Sequence, residues 1–373
     1  MKTFKKTLSC MLLFGAFACT QSKDRDYFNG NIQYFDDNPK VVKKVSSKIV
    51  PLNGLNYGLI AIYDSLLICW NPKLPDYFFN VFHVDTGEEI GSFCRRGQGP
   101  EDAVSVNCIF QFFKKENDIM TLLYAPNEAK LFFWNINQSI RSGSSVFDTI
   151  VAFNNKGYEY KSYQFLFLQA KDTLLGYVQS NFLSEQEAST PFYEKRTIYT
   201  NEVLQKYPVY KTETVRNEAT SPRSFFYSWS AMKPDGSKIV QAMYDFPQIN
   251  ILDTYTGDIM GYRMKNSFKN FSFETKLPST HAYYNSVQAD DYYIYAAYWG
   301  KEQWRLRDED AMPDLRTIHV FNWEGELLYE LQTDRVFFRI WLDQVRNRLY
   351  TQNHDTDEVY YVDLNELNVH KPG

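Results

Sequence analysis

Asn80 to Asp102 reads NVFHVDTGEEIGSFCRRGQGPED. The apolar residues up to Val84 describe a strand. Asp85-Thr86-Gly87 is a tight turn whose glycine supplies the positive φ that hairpins need. Glu89 to Arg95 is a second strand, and Gly97 to Asp102 is a Gly/Pro loop leading away from it. The rest of the chain reads as variations on this hairpin.

The variations recur at a steady period. Asp64 opens DSLLIC, Asp118 opens DIMTLL and Asp172 opens DTLLGY. Ser237 opens SKIVQA, Asp291 opens DYYIYA and Asn347 opens NRLYTQ. Each is a turn followed by a strand. The openings lie 54, 54, 65, 54 and 56 residues apart. In the first unit the expected strands are Leu55 to Tyr63, Leu66 to Trp70, Tyr77 to Val84 and Glu89 to Arg95. A four-stranded unit repeated six times predicts an all-β fold, a six-bladed β-propeller with four-stranded antiparallel blades. Radial packing also accounts for an aromatic content of 17%, because large side chains fill the wedges between twisted sheets. Two stacked β-sandwiches would explain the strands but not the spacing.

The sixth unit offers Phe337 to Leu342, Arg348 to Gln352 and Glu358 to Leu364, and lacks a fourth strand. Val41 to Val50 is expected to supply it beside Glu358 to Leu364, so that an N-terminal strand closes the ring and removes an open edge. The predicted layout is a signal peptide over 1–18, a lipidated cysteine with a polar tether over 19–40, and the propeller over 41–373. Deleting 20–37 is therefore expected to cost little stability.

Lys2, Lys5 and Lys6 precede an apolar run, Leu8 to Ala18, that is too short to span a bilayer. Ala16-Phe17-Ala18-Cys19 completes the layout of a bacterial lipoprotein signal. Lipidation at Cys19 would anchor the chain to a membrane without a spanning helix. The expected address is the bacterial cell envelope, as an outer-membrane lipoprotein on its periplasmic or surface face. Cleavage removes three lysines and takes the net charge from −5 to −8, which argues against a nucleic-acid partner. Cys69 and Cys94 fall on strands separated by another strand, roughly 10 Å apart, beyond disulfide reach. With Cys108 they read as small buried apolar residues.

At Gly97, Gly99, Pro100 and Glu101 the loop carries a GxGPxE pattern behind a lipoprotein signal. In this the chain resembles the TolB-like six-bladed propeller lipoproteins of Bacteroidetes. The resemblance implies an envelope lipoprotein propeller and carries over no catalytic residue.

Candidate site residues follow from residue type and place. Gly97-Gln98-Gly99 beside Arg95 and Arg96 could cradle an anion with backbone N–H groups; the plainer reading is a tight blade crossing. Trp299 to Asp314, WGKEQWRLRDEDAMPD, holds Trp299 and Trp304 for stacking and Arg305 for a carboxylate or phosphate; a solvated loop with internal salt bridges is the alternative. His83 and His319 fall on third strands and read as packing residues, whereas His354 lies in the loop NHDTD. No zinc spacing, GxSxG or dinucleotide motif is present, so no metal and no cofactor is expected. The expected function is a binding or protein-interaction scaffold for a small molecule, glycan or protein. The alternative is a hydrolase or lyase acting on glycans through carboxylates at the ring centre. Any ligand is expected on the face built from second-to-third-strand loops and blade crossings, at Arg95, Arg96, Trp299, Trp304, Arg305 and His354.

Overall fold

The turn residues behind the repeat sit where each blade's first strand folds back into its second. Asp64, Glu116, Gly236 and Asn347 all have positive φ there, between 53° and 72°. Aspartate, asparagine and glycine tolerate that conformation best, and Asp64 and Asn347 are themselves two of the period's openings. The computed structural model describes residues 27–36, 39, 41–52, 58–153, 161–181, 190–211, 226–265, 281–302, 316–353 and 356–367.

Blade 1 is Leu59–Tyr63, Leu66–Trp70, Tyr77–His83 and Glu89–Arg95. Blade 2 is Phe112–Lys115, Asp118–Ala125, Lys130–Asn135 and Phe147–Ala152. Blade 3 is Lys161–Ala170, Thr173–Asn181, Phe192–Thr197 and Val203–Pro208. Blade 4 is Ser228–Met232, Lys238–Met243, Gln248–Asp253 and Ile259–Met264. Blade 5 is His281–Ala289, Tyr293–Glu302, Thr317–Asn322 and Leu327–Thr333. Blade 6 contributes Arg339–Asp343, Arg348–Gln352 and Val359–Asp363. Within each blade successive strands pair in order, antiparallel. First strands of neighbouring blades approach one another, 4 to 5, 5 to 6 and 6 to 1. They therefore surround the axis of a six-bladed β-propeller.

The core lies between the blades. Phe165, Tyr177 and Tyr193 of blade 3 form one cluster with Phe226, Met243 and Phe246 at blade 4. Trp341 and Tyr350 of blade 6 share another with blade 1 and with Trp134 of blade 2. Phe79 stacks on Trp134 across that wedge, with ring centroids 5.2 Å apart. Offset aromatic pairs of this kind add roughly 0.5–1.5 kcal/mol to the burial itself. Cys69 and Cys94 are buried, Cys108 is half-buried, and all three are free thiols. Burial pushes the thiols of Cys69 and Cys108 up to about 12.

The N-terminal segment departs from expectation. Val41 to Val50 is two strands, not one. Val41–Val45 runs parallel to Leu327–Thr333 on blade 5, with Val41 opposite Tyr329. Only Lys48–Ile49 lies beside Val359–Asp363 on blade 6, antiparallel, with Ile49 opposite Tyr360. The tether is also shorter than predicted. Tyr27 and Phe28 are buried, at 1% and 2% exposure, and Asn31–Phe35 runs parallel to Ile259–Met264 on blade 4. The segment is a belt across the outer edges of three blades, and it runs throughout in the direction of a fourth strand. Against the complete blades 4 and 5 it is therefore a fifth, parallel strand. Against the three-stranded blade 6 it takes the missing fourth place. Polar composition hid this, because an edge strand buries few of its side chains.

The predicted glycine turns at Gly87, Gly257 and Gly325 have φ of 69°, 82° and 78°. Gly87 also meets the belt's end, since a Cβ there would lie 1.7 Å from the Pro51 carbonyl oxygen.

Candidate functional site

Two cross-strand pairs on adjacent blades frame a chamber at one face of the ring. On blade 6 Arg339 opens the first strand opposite Gln352, which ends the second. On blade 1 Leu59 stands opposite Trp70 in the same places. The space between is about 360 Å³ and is walled further by Phe338, by Asn71 to Lys73 and by Asp357. It adjoins a narrower space of about 50 Å³ on the axis, since Leu59 and Arg339 line both. All these residues lie at the ends from which second-to-third-strand loops and blade crossings emerge. Gln352 braces the chamber, its Nε2 donating to the Gly58 carbonyl of blade 1 at 2.7 Å.

Arg339 is the chemical centre. Its guanidinium lies 3.7 Å from the centroid of the Trp229 ring, close enough for cation–π attraction. Among the described residues no hydrogen-bond acceptor or carboxylate pairs with it. Burial holds its pKa below the usual arginine value, with Tyr227 and Cys108 opposing the shift. A half-buried cation whose only partner among the described residues is a ring face keeps its N–H donors available to an incoming anion. Aromatic rings continue outward from Trp229. Tyr227 meets it edge-on at 6.0 Å, Tyr244 meets Tyr227 at 5.7 Å, and Trp299 meets Tyr244 at 6.0 Å. Trp299 then meets Phe338 at 6.1 Å, which returns the arc to the chamber wall. The arc ties the first strand of blade 4, the second strand of blade 5 and the start of blade 6 around Arg339.

Of the residues singled out in the sequence, Arg95, Arg96 and Trp299 do not line this chamber. Arg96 lies across the Phe78 ring, 3.8 Å from its centroid, and donates from Nη2 to the carbonyl oxygens of Asn71 and Pro72. It supports the chamber's loop wall and is committed to that task. Arg95 is exposed at the end of its strand. Trp299 is half-buried on a strand that continues to Glu302, so it belongs to the packed arc and not to a loop. Trp304, Arg305, His354 and Cys19 lie outside the described residues.

The GxGPxE loop winds round a neighbour that the pattern omits. The Gly99 N–H donates to Asp102 Oδ2 at 3.2 Å, and the Gly97 N–H donates to the Ala103 carbonyl at 3.1 Å. A Cβ on Gly97 would lie 2.4 Å from Asp102 Oδ2. These donors serve the loop's own fold, so the anion cradle gives way to the tight blade crossing. Pro100 and Glu101 are exposed on it.

His319 is buried against Tyr298, rings stacked at 4.1 Å, and burial lowers its pKa to about 3. It is a neutral packing residue at neutral pH. Among the described residues no three His, Cys, Asp or Glu side chains gather as a metal site. Among the described residues no Asp, Glu or His lines the axial space, and Asp357 is the one carboxylate lining the chamber.

Sequence reading missed Arg339, Trp70, Trp229 and Phe338. A signal was available in the repeat frame. At the start of first strands, where side chains face the axis, Leu59 and Trp229 have Arg339 as their counterpart, a charge among apolar residues.

The family described as TolB-like 6-blade propeller-like matches residues 57–344. No curated protein sequence matches the chain. A DUF4221 family member from Bacteroides vulgatus is similar in structure, with 13% identity and a TM-score of 0.56 over 85% of this chain and 95% of that one. A Bacteroides fragilis protein described as a candidate exported protein is similar at 12% identity and a TM-score of 0.51, over 89% and 99% of the two chains. At such identities these likenesses speak for the fold alone.

Proposed function

The chain belongs to the TolB-like family of six-bladed propellers, and from that premise we propose that it is an envelope binding protein that takes a small anionic ligand in the chamber between its first and last blades. The observation that carries the reading is Arg339, half-buried at the chamber's inner end with no acceptor among the described residues. A carboxylate or phosphate there would supply the charge-assisted partner that the guanidinium lacks. Pockets of this size and mainly apolar lining, with few polar groups, suit small molecules. Hydrolysis of a glycan uses two carboxylates, and among the described residues the chamber lining holds one, Asp357, which favours binding over the hydrolase alternative.

The test is calorimetric titration with benzoate, glucuronate and inorganic phosphate. At least one should bind, and Arg339→Ala should weaken it roughly 10- to 100-fold, the worth of a hydrogen bond to a charged group. Binding that ignores Arg339→Ala would overturn the reading.

The envelope address rests on the signal-like N terminus. No helix among the described residues is long and apolar enough to cross a membrane. Attachment through a lipid on Cys19 is the route we propose. Mass spectrometry of the native N terminus should find an acylated Cys19, and an unmodified cysteine would refute it.

A further inference from the structure

We infer that the ligand carries its acidic group on an apolar ring, as an aromatic or alicyclic carboxylate, and not on a polyol or a bare phosphate. The inference rests on the anion-site reading above and deepens it to a ligand class. It follows from what surrounds Arg339. The chamber's walls are chiefly carbon: Leu59, Trp70, Pro72 and Phe338. Trp70 buries its indole Nε1, so it meets the chamber with ring carbon.

Three polar side chains of the walls have partners within the protein, and Lys73 adds a second cation to the lining. Gln352 gives its Nε2 to the Gly58 carbonyl at 2.7 Å. Asn71 Oδ1 accepts the Lys73 N–H at 2.9 Å. Asp357 already has a partner within the chain. A hexose brought to this site would lose water from all its hydroxyls and regain partners for few of them, at a cost for each one left unpaired. An apolar ring loses nothing of the kind. It gains contact with Trp70 and Phe338 while its carboxylate meets the guanidinium. The volume, about 360 Å³, holds a compact ring system.

Arg339 is also held in aim. Trp229 lies beneath the guanidinium at 3.7 Å, and Phe165 packs against Trp229 at 5.7 Å. The cation's plane is thereby set by the core, which suits a planar bidentate acceptor such as a carboxylate.

The test compares 1-naphthoate, glucuronate and inorganic phosphate by calorimetry on the full chain. 1-Naphthoate should bind most tightly, and Arg339→Ala should weaken it roughly 10- to 100-fold. Trp70→Ala should weaken 1-naphthoate by roughly tenfold or more and leave phosphate unchanged, with Trp70→Phe restoring most of the loss. Thermal melts of each variant, and Arg339→Lys as a second change, separate lost binding from lost folding. If glucuronate or phosphate binds at least as tightly as 1-naphthoate and depends on Arg339, the ring inference falls and the anion site stands. If none of the three depends on Arg339, both fall.

Discussion

At the scale of single residues, environment decides more than identity. His319 and Arg339 are both basic, and both are partly or wholly withdrawn from water beside aromatic rings. The histidine can shed its charge and the arginine cannot. Burial lowers the His319 pKa to about 3, below its unfolded value of 6.5. The unfolded chain therefore takes up a proton near pH 6.5 that the folded one refuses down to about pH 3. Stability is unaffected by this group above pH 6.5 and is lost progressively as pH falls below it. Between pH 7 and pH 5 the loss should be about 2 kcal/mol more than in a His319→Gln variant. Urea denaturation at the two pH values measures it, and parallel losses in the two proteins would refute it. The turn residues Asp64, Asn347 and Gly87 were legible in the sequence because a turn's chemistry is local. Arg339 was not, since it is one of 40 lysines and arginines and its meaning lies in which acceptors fail to reach it.

At the scale of elements, the blades were legible and the belt was not. A blade's strands pair with their sequence neighbours, so periodicity and turns mark them out. The belt pairs Ile32 with Gly261 and Val42 with Glu330, across more than 200 residues, in parallel register that no turn enforces. Its partners are invisible from its own composition. The same fact reverses the expected effect of truncation. Relative to a chain starting at Tyr27, one starting at Asn38 loses two buried aromatic side chains and the fifth strand of blade 4. The loss should be at least about 3 kcal/mol, the low end for removing one buried aromatic side chain. Chemical denaturation of the two chains decides this, and equal midpoints would show the belt to be ornamental. The Gly97 to Asp102 loop carries a similar lesson. Its glycines were noticed as donors, yet Asp102, three residues after Gly99, was already the acceptor.

At the scale of the whole molecule, closure and site are one problem. The ring joins where blade 6 meets blade 1. The chamber opens at that joint on one face, and Arg346 bonds Asp64 and Asp85 across it on the other. A ligand at Arg339 would touch both blades, so binding and ring closure should reinforce each other. The fold could be read from spacing because six similar wedges repeat a pattern. The site could not, because it depends on how one blade differs from the others. The most direct test of the account is a crystal structure of protein purified from its native host. The account predicts density for an acidic group against the Arg339 guanidinium, with its body between Trp70 and Phe338. A carboxylate of the chain itself bonded to Arg339, with a bound molecule elsewhere on the ring, would contradict it.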